Sequence, residues 1–237
     1  MFSNSTVLLT GVGGEGQVGE AVAQAFASLG AALVLVDRTI DNVQARAAAL
    51  TAGGAQARGY ACDLSDAAAV DQLAQTVRAN HGGSLRAFVH MAGGFAMSGP
   101  VADSAVDVWH RQITINLTTA YIAARAFLPL LRGAHGSLLF FASEAALPGA
   151  SAANRSAYAV AKTGVVTLMR AIAAEEQKAG TGVRANALAP TSIRTAANVS
   201  AMGSDVRYVE REAVAAAATF LCSSQASAIN GALIPLT

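Results

Sequence analysis

The sequence predicts an α/β fold in which a doubly wound parallel sheet is covered by helices on both faces. Short apolar runs alternate with longer Ala-rich segments of helical periodicity along the chain. The short runs are continuously apolar, as expected for strands that are buried on both faces. Because ligands bind outside the carboxyl ends of the strands in such sheets, the residues that follow each strand are candidates for a functional site.

The individual elements follow from these runs. Strands are predicted at residues 6–10, 32–36, 56–62, 85–90, 137–142, 183–188 and 232–236, and helices at residues 20–29, 41–50, 66–79, 104–131, 156–178 and 210–221. Ser65 is predicted to cap the third of these helices. No linker, repeat or low-complexity tract divides residues 1–237, so we expect a single domain.

Composition excludes several classes of protein. The net charge of the 237 residues is +1 and no basic cluster is present, which argues against a nucleic-acid-binding protein. No uninterrupted apolar run reaches the roughly 18 residues of a membrane span, and the first ten residues do not resemble a signal peptide. Cys62 and Cys222 form no metal or redox motif and are predicted to be core thiols of a cytoplasmic protein. A charged content of 13% predicts that part of the surface is buried between subunits.

A glycine-rich loop follows the first strand and precedes the first helix. Two overlapping sets of glycines fit the pattern GxGxxG, namely Gly11, Gly13, Gly16 and Gly14, Gly16, Gly19. Glycines in this context let the backbone approach a diphosphate, whose charge is met by amide groups at the start of the helix. The loop therefore predicts a dinucleotide cofactor.

The residues at the end of the second strand bear on which dinucleotide is bound. Asp37 can accept hydrogen bonds from both hydroxyl groups of an adenosine ribose and would repel a 2′-phosphate. Arg38 could instead hold that phosphate. We expect NAD in preference to NADP.

A candidate catalytic set lies in the second half of the chain. Tyr158 and Lys162 are four residues apart in a predicted helix and therefore share one face. The ammonium group is expected to lower the pKa of the phenol, so that Tyr158 can act as a general base in oxidation and a general acid in reduction. Ser143 follows a buried strand and can donate a hydrogen bond to a substrate oxygen. Asn116 interrupts an otherwise apolar helix, where a buried amide needs polar partners.

In this order and spacing, the residues resemble the short-chain dehydrogenase/reductase family from Thr6 to Leu236. The resemblance is carried by the following residues: Thr10, Gly11, Asp63, Leu64, Ala92, Gly93, Asn116, Ser143, Tyr158, Lys162, the segment 186–190 (NALAP) and Thr195. It implies a seven-stranded Rossmann sheet, a nicotinamide cofactor, an Asn-Ser-Tyr-Lys tetrad and a homotetramer or homodimer.

The resemblance also implies a role for each residue. Tyr158 would exchange the proton, Lys162 would hold the nicotinamide ribose, Ser143 would orient the substrate oxygen, and Asn116 would anchor a water in a relay through Lys162. Asp63 would contact the adenine, and the Ile193 backbone would face the nicotinamide carboxamide. The implied cofactor-binding residues are Gly11, Gly13, Gly16, Gln17, Val18, Gly19, Asp37, Arg38, Asp63, Leu64, Ala92, Gly93, Tyr158, Lys162, Pro190, Thr191, Ile193 and Thr195.

Some residues depart from the family pattern. The loop from Gly11 to Gly19 is two residues longer than usual, and Gln17 stands where a glycine is expected. The usual Asn-Asn-Ala-Gly begins here with His90 and Met91, of which His90 is predicted to be a packed core residue. The interval between Ser143 and Tyr158 is about two residues longer than usual, and Thr191 replaces a glycine.

These observations predict an NAD(P)-dependent oxidoreductase that acts on a neutral ketone or secondary alcohol. A short lid is expected at about residues 195–210, and the candidate pocket walls are Phe95, Met97, Leu147 and Met202. Two alternatives stay open, a 3-oxoacyl thioester reductase that uses NADPH and a dinucleotide-binding sensor without turnover.

Overall fold

A seven-stranded sheet runs through the centre of the protein in a computed structural model that describes all 237 residues. Its strands are β1 (Thr6–Thr10), β2 (Ala32–Asp37), β3 (Ala57–Ala61), β4 (Ala87–His90), β5 (Ser137–Phe141), β6 (Arg184–Pro190) and β7 (Leu233–Leu236). Neighbouring strands are all parallel, in the order β3-β2-β1-β4-β5-β6-β7. This topology confirms the predicted α/β sheet and brings the ends of β1, β4 and β5 side by side.

The chain forms eight α-helices, and six of them cover the two faces of the sheet. The eight helices are α1 (Val18–Ser28), α2 (Ile40–Ala52), α3 (Ala67–Asn80), α4 (Val106–Ile113), α5 (Thr119–Arg132), α6 (Ser156–Lys178), α7 (Ala196–Met202) and α8 (Arg211–Cys222). Apolar residues of α1, α2 and α8 share one core with the sheet, and those of α3, α5 and α6 share the other. Both cores consist mainly of fully buried Val, Leu, Phe and Ala side chains, which accounts for the apolar composition.

Two local predictions are wrong. The long helix predicted at residues 104–131 is divided into α4 and α5 by a π-helical segment, Thr114–Thr118. The cap of α3 is Asp66, whose carboxylate accepts hydrogen bonds from the amides of Ala68 and Ala69. Ser65 cannot take that role because its hydroxyl group donates to Asp63 instead.

Two helical stretches are long and apolar enough to cross a membrane by length and composition, Val106–Arg132 and Ser156–Lys178. About half of each apolar window, 44% and 50%, is buried inside the fold. The buried halves pack on the sheet and carry the polar residues of the candidate site, Asn116 and Lys162.

Candidate active site

Three of the four predicted catalytic residues meet beyond the end of β5. Ser143 is buried two residues after the strand, while Tyr158 and Lys162 lie one turn apart on α6. The Nζ atom of Lys162 donates a 2.7 Å hydrogen bond to the carbonyl oxygen of Phe141, the last residue of β5. This bond ties the helix that carries the phenol to the strand that leads to Ser143.

Asn116, the fourth residue, lies in the π-helical segment and is fully hydrogen-bonded. Its Nδ2 atom donates to the carbonyl oxygens of Gly94 (2.9 Å) and Gln112 (3.1 Å), and its Oδ1 atom accepts from the Gly94 amide at 3.1 Å. A Cβ atom added at Gly93 would lie 2.6 Å from Oδ1 of Asn116 and 3.4 Å from Nζ of Lys162. The two polar groups therefore face one small space beside β4. π-Helical turns are frequent at functional sites.

The electrostatics of Tyr158 differ from the expectation. Burial raises the pKa of Tyr158 above 10, and hydrogen bonding to Ser143 and the charge of Arg155 offset only part of this effect. The Nζ atom of Lys162 is 5.9 Å from the centre of the phenol ring. In this structure, Lys162 therefore does not lower the pKa of Tyr158 below its usual value, because desolvation of the phenolate is the larger effect.

Lys162 is itself strongly affected by its surroundings. Its side chain is buried and burial lowers its pKa to about 8, because an ammonium group loses hydration there. Near neutral pH, it is still mostly protonated and can donate more than one hydrogen bond. The bond to Phe141 leaves further donors for a ligand.

His90 is the core residue that the sequence predicts. Its ring lies between those of Phe88 and Phe140, with centroids 5.9 Å and 6.1 Å away, and its Nδ1 atom is 3.1 Å from the hydroxyl group of Thr10. Burial, with a smaller contribution from the charge of Lys162, lowers the pKa of His90 to about 3. His90 is therefore neutral at physiological pH, and its buried Nε2 atom has no hydrogen-bond partner in the protein.

The segment between Ser143 and Tyr158, longer than the family pattern, is closed by an ion pair. The Nη1 atom of Arg155 donates to Glu144 at 3.1 Å, and its Nε atom donates to the carbonyl oxygen of Ser151. Both charges act on Tyr158: Arg155 lowers the pKa of the phenol, and Glu144 raises it. The loop thus places a nearly balanced pair of charges at the edge of the site.

A cleft of about 380 Å³ opens beside this set, at the ends of β1, β2, β3 and β4. It is lined by seven residues of the predicted cofactor set, Gly11, Asp37, Arg38, Asp63, Leu64, Ala92 and Gly93. It is also lined by residues that the sequence analysis missed, Thr39, Cys62, Ser65, Gly94, Arg111, Ile115 and Thr119. Three of these, Arg111, Ile115 and Thr119, are spaced four residues apart around Asn116, a helical pattern that could have identified them.

The acidic residues of the cleft are held in place. The Oδ2 atom of Asp37 accepts a 2.9 Å hydrogen bond from the amide of Gly13, and Oδ1 of Asp63 accepts from the amide and hydroxyl groups of Ser65. The bonds from Ser65 keep the pKa of Asp63 below its usual value. The carboxylate of Asp63 is therefore an ionised acceptor at neutral pH.

The structure resolves the register of the glycine-rich loop. A Cβ atom at Gly11 would lie 2.7 Å from the amide nitrogen of Ala92, and one at Gly19 would lie 2.4 Å from the carbonyl oxygen of Gly11. Gly11 is therefore where the loop passes the end of β4, and Gly19 is where α1 packs on the loop. Each predicted set of three glycines contains only one of these two positions, so neither set describes the turn. The Gln17 side chain folds back over Gly14, where an added Cβ atom would lie 2.6 Å from Cγ of Gln17.

The remaining loop positions lie outside the cleft at the start of α1. Gln17 precedes the helix without a side-chain cap, and the amide groups of Val18 and Gly19 donate to no acceptor in the protein. Together with the acidic residues of the cleft, these free donors fit a dinucleotide, whose diphosphate needs amides and whose ribose hydroxyls need acceptors.

The segment 190–195 leads from the end of β6 to the predicted lid. Thr191 donates its amide to Leu236, and Ile193 forms a bridge with Val209 that closes the base of residues 193–209. The carbonyl oxygen of Ile193 accepts from Asn198, and Thr195 caps α7. The lid segment thus contains a short helix that the sequence analysis did not predict.

The predicted pocket walls differ in their exposure. Phe95 and Met97 are each 57% exposed and Met202 is 44% exposed, whereas Leu147 packs against the core. The Phe95 ring meets that of Tyr158 edge to face, with centroids 5.0 Å apart. Phe95 therefore packs directly against the phenol ring, as a wall of the substrate pocket would.

Comparisons with known proteins agree with this arrangement. A family model described as Enoyl-(Acyl carrier protein) reductase matches residues 11–236. D-threitol dehydrogenase of Mycolicibacterium smegmatis is 32% identical, with 91% of this chain and 85% of that protein covered. Meso-2,3-butanediol dehydrogenase of Serratia marcescens is 33% identical, with 99% and 94% covered. The solved structure of levodione reductase is 30% identical with a TM-score of 0.89, and covers 100% of this chain and 97% of that one.

These similarities extend over nearly the whole length of the protein and include its sheet topology. The chain therefore belongs to the short-chain dehydrogenase/reductase family of NAD(P)-binding oxidoreductases.

Proposed function

We propose that the protein interconverts a secondary alcohol and a ketone with a nicotinamide dinucleotide, and that Tyr158 transfers the proton. The observation that carries this proposal is the convergence of Ser143, Tyr158 and Lys162 beyond the end of β5, beside a cleft with the features of a dinucleotide site. A half-buried phenol next to a buried hydroxyl group provides a proton donor and a hydrogen-bond donor for one substrate oxygen.

In the proposed mechanism, each side chain has one task. Ser143 holds the substrate oxygen, and Tyr158 removes the hydroxyl proton in oxidation or returns it to the oxygen in reduction. Lys162, anchored on Phe141, would hold the ribose of the dinucleotide, and Asn116 fixes the backbone of Gly94. The bound dinucleotide supplies the hydride acceptor or donor.

NAD is the proposed cofactor. The carboxylate of Asp37 lines the cleft and is oriented by the amide of Gly13, so that it can accept from the adenosine ribose and repel a 2′-phosphate. Arg38 is exposed in the same cleft and is the group that would favour NADP instead.

A small neutral alcohol or ketone is the proposed substrate. Phe95, Met97 and Met202 are apolar, and the arginine nearest the phenol in sequence, Arg155, is already paired with Glu144. The relatives named for D-threitol, meso-2,3-butanediol and levodione support a neutral oxygenated substrate over a thioester. Family membership likewise favours an enzyme over a sensor.

Absorbance of the reduced nicotinamide, measured with vicinal diols, cyclic diketones and 3-oxoacyl thioesters, tests this proposal. Turnover is expected with NAD and one of the neutral classes. Turnover confined to the thioesters with NADPH would replace the proposal with the reductase alternative, and binding of cofactor without any turnover would favour the sensor.

The proposed assembly is a homodimer or homotetramer. Three large apolar side chains remain exposed on α4 and α5, namely Val106, Trp109 and Tyr121. Light scattering after size-exclusion chromatography is expected to give two or four times the mass of 23.9 kDa. A monomer would remove this part of the proposal.

A further inference from the structure

Glu20 is bonded to the glycine-rich loop from within the first turn of α1. Its Oε2 atom accepts a 2.7 Å hydrogen bond from the amide of Gly16, which has the left-handed φ angle of 68°. Gly16 lies in the part of the loop that is longer than the family pattern. The carboxylate therefore fixes a turn that glycine alone would leave free to vary.

Two arginines from other helices hold the Glu20 carboxylate. Arg46 of α2 binds Oε1 of Glu20. The Nη1 atom of Arg211, the first residue of α8, is 3.6 Å from Oε2. The side chains of Glu20 and Arg46 are only 16% and 9% exposed, and that of Arg211 is 28% exposed. Solvent screening is weak at such burial, so the orientation of the carboxylate is well determined.

Few hydrogen bonds connect residues 12–16 of the loop to the rest of the protein. Beyond the loop, these residues make two hydrogen bonds, from Gly13 to Asp37 and from Gly16 to Glu20. The first bond lies at Asp37, which lines the cleft, and the second lies next to the start of α1. The position of the Gly16 turn relative to the start of α1 thus depends on Glu20.

We propose that Glu20 is a positioning residue for dinucleotide binding, which holds the lengthened loop against the start of α1 and so keeps the free amides of Val18 and Gly19 open to the diphosphate. A lone carboxylate there would repel a diphosphate. Arg211 also contacts the exposed Glu212 at 3.7 Å, so two arginines balance the two carboxylates and the set does not oppose the anion. This inference rests on the proposed function, because it places the dinucleotide at this loop.

The matched substitutions are Glu20→Gln, which retains the size and removes the charge, and Glu20→Asp, which retains the charge and shortens the reach. Both are expected to raise the Kd of NAD and of NADP by about tenfold alike, since a charge-assisted hydrogen bond to the loop is lost. The KM for the cofactor should rise in parallel, with a much smaller change in kcat. Glu175→Gln, an exposed change on α6, is the control.

Calorimetric titration with ADP and with adenosine separates positioning from a general structural role. The Glu20 variants should bind ADP more weakly and adenosine as the unaltered protein does, because only ADP carries the diphosphate. Equal weakening of both ligands, or an unchanged Kd for ADP, would overturn the inference. Absence of dinucleotide binding in the unaltered protein would instead overturn the proposed function.

Arg211→Gln provides a second test if the Glu20 variants do not fold. It removes the more exposed of the two cations and leaves the pair of Glu20 with Arg46 in place. A roughly threefold rise in the Kd of ADP, with no change for adenosine, is expected. An unchanged Kd for ADP in this variant would contradict the proposal.

Discussion

The two halves of the ligand-binding edge are built in different ways. At the ends of β4 and β5, buried polar side chains are bonded to backbone groups, as Lys162 is to Phe141 and Asn116 is to Gly94. At the ends of β1 and β2, the glycine-rich loop is held through its amides by the carboxylates of Asp37 and Glu20. Changes in the first half should therefore affect catalysis or folding, and changes in the second should affect cofactor affinity.

The largest expected effect follows from Tyr158→Phe. The substitution removes the proton donor and retains the ring that Phe95 contacts, so turnover should fall about 10³-fold or more. Cofactor affinity should stay nearly the same, because the nucleotide half of the edge is untouched. Steady-state rates and calorimetric titration with NAD measure the two quantities, and retained turnover would exclude Tyr158 as the proton donor.

Asn116→Ala should mainly affect stability. The amide of Gly94 would lose its Asn116 acceptor and the carbonyl oxygens of Gly94 and Gln112 would lose their Asn116 donor, at a cost of about 2–4 kcal/mol. Urea unfolding measures this free energy. The exposed substitution Gln72→Ala on α3 is the control, and an equally small effect of both changes would show that the π-helical segment does not depend on its asparagine.

His90 should make the protein sensitive to acid. Its pKa is about 3 in the folded state and about 6.5 when unfolded, so below about pH 6.5 the unfolded state binds a proton that the folded state does not. Stability contributed by the neutral ring is therefore lost as the pH falls, by about 2 kcal/mol between about pH 7 and pH 5.

Comparison with His90→Gln isolates this effect. Glutamine retains a hydrogen-bonding group for Thr10 but does not titrate, so the variant should lose about 2 kcal/mol less than the unaltered protein over the same interval. Urea unfolding at the two pH values measures the difference. Parallel losses in both proteins would mean that the ring is protonated in the folded state.

Asp37→Ala should have the smallest effect, confined to the cofactor. Loss of the ribose acceptor is expected to raise the Kd of NAD about tenfold and to change that of NADP less, because the repulsion of the 2′-phosphate is removed. The free energy of unfolding should change by less than about 1 kcal/mol, since the carboxylate is only half-buried. If the substitution weakened the binding of NADP more than that of NAD, Arg38 would be the residue that sets the cofactor preference.

The same comparison separates what the sequence could predict from what it could not. Ser143, Tyr158 and Lys162 were identifiable because strand and helix periodicity place them at one edge of the sheet. The π-helical turn at Asn116 was not, since its hydrogen bonds to Gly94 join segments that are distant in the chain.

The loop register and the pKa of Tyr158 also required three-dimensional information. Glycine spacing alone matched two overlapping sets, and the close approaches of Gly11 and Gly19, one from each set, show that neither set describes the turn. The predicted influence of Lys162 on the phenol followed from helical proximity. Burial, which the sequence does not quantify, proved to be the larger effect on that pKa.

The pH dependence of single-turnover alcohol oxidation tests the central role of Tyr158 most directly. The phenolate is the base in this direction and burial raises its pKa, so the rate of nicotinamide reduction should increase as the pH rises above neutrality. The small residual rate of Tyr158→Phe should show no such increase. A rate in the unaltered protein that does not change with pH, or the same rise in the variant, would contradict the account.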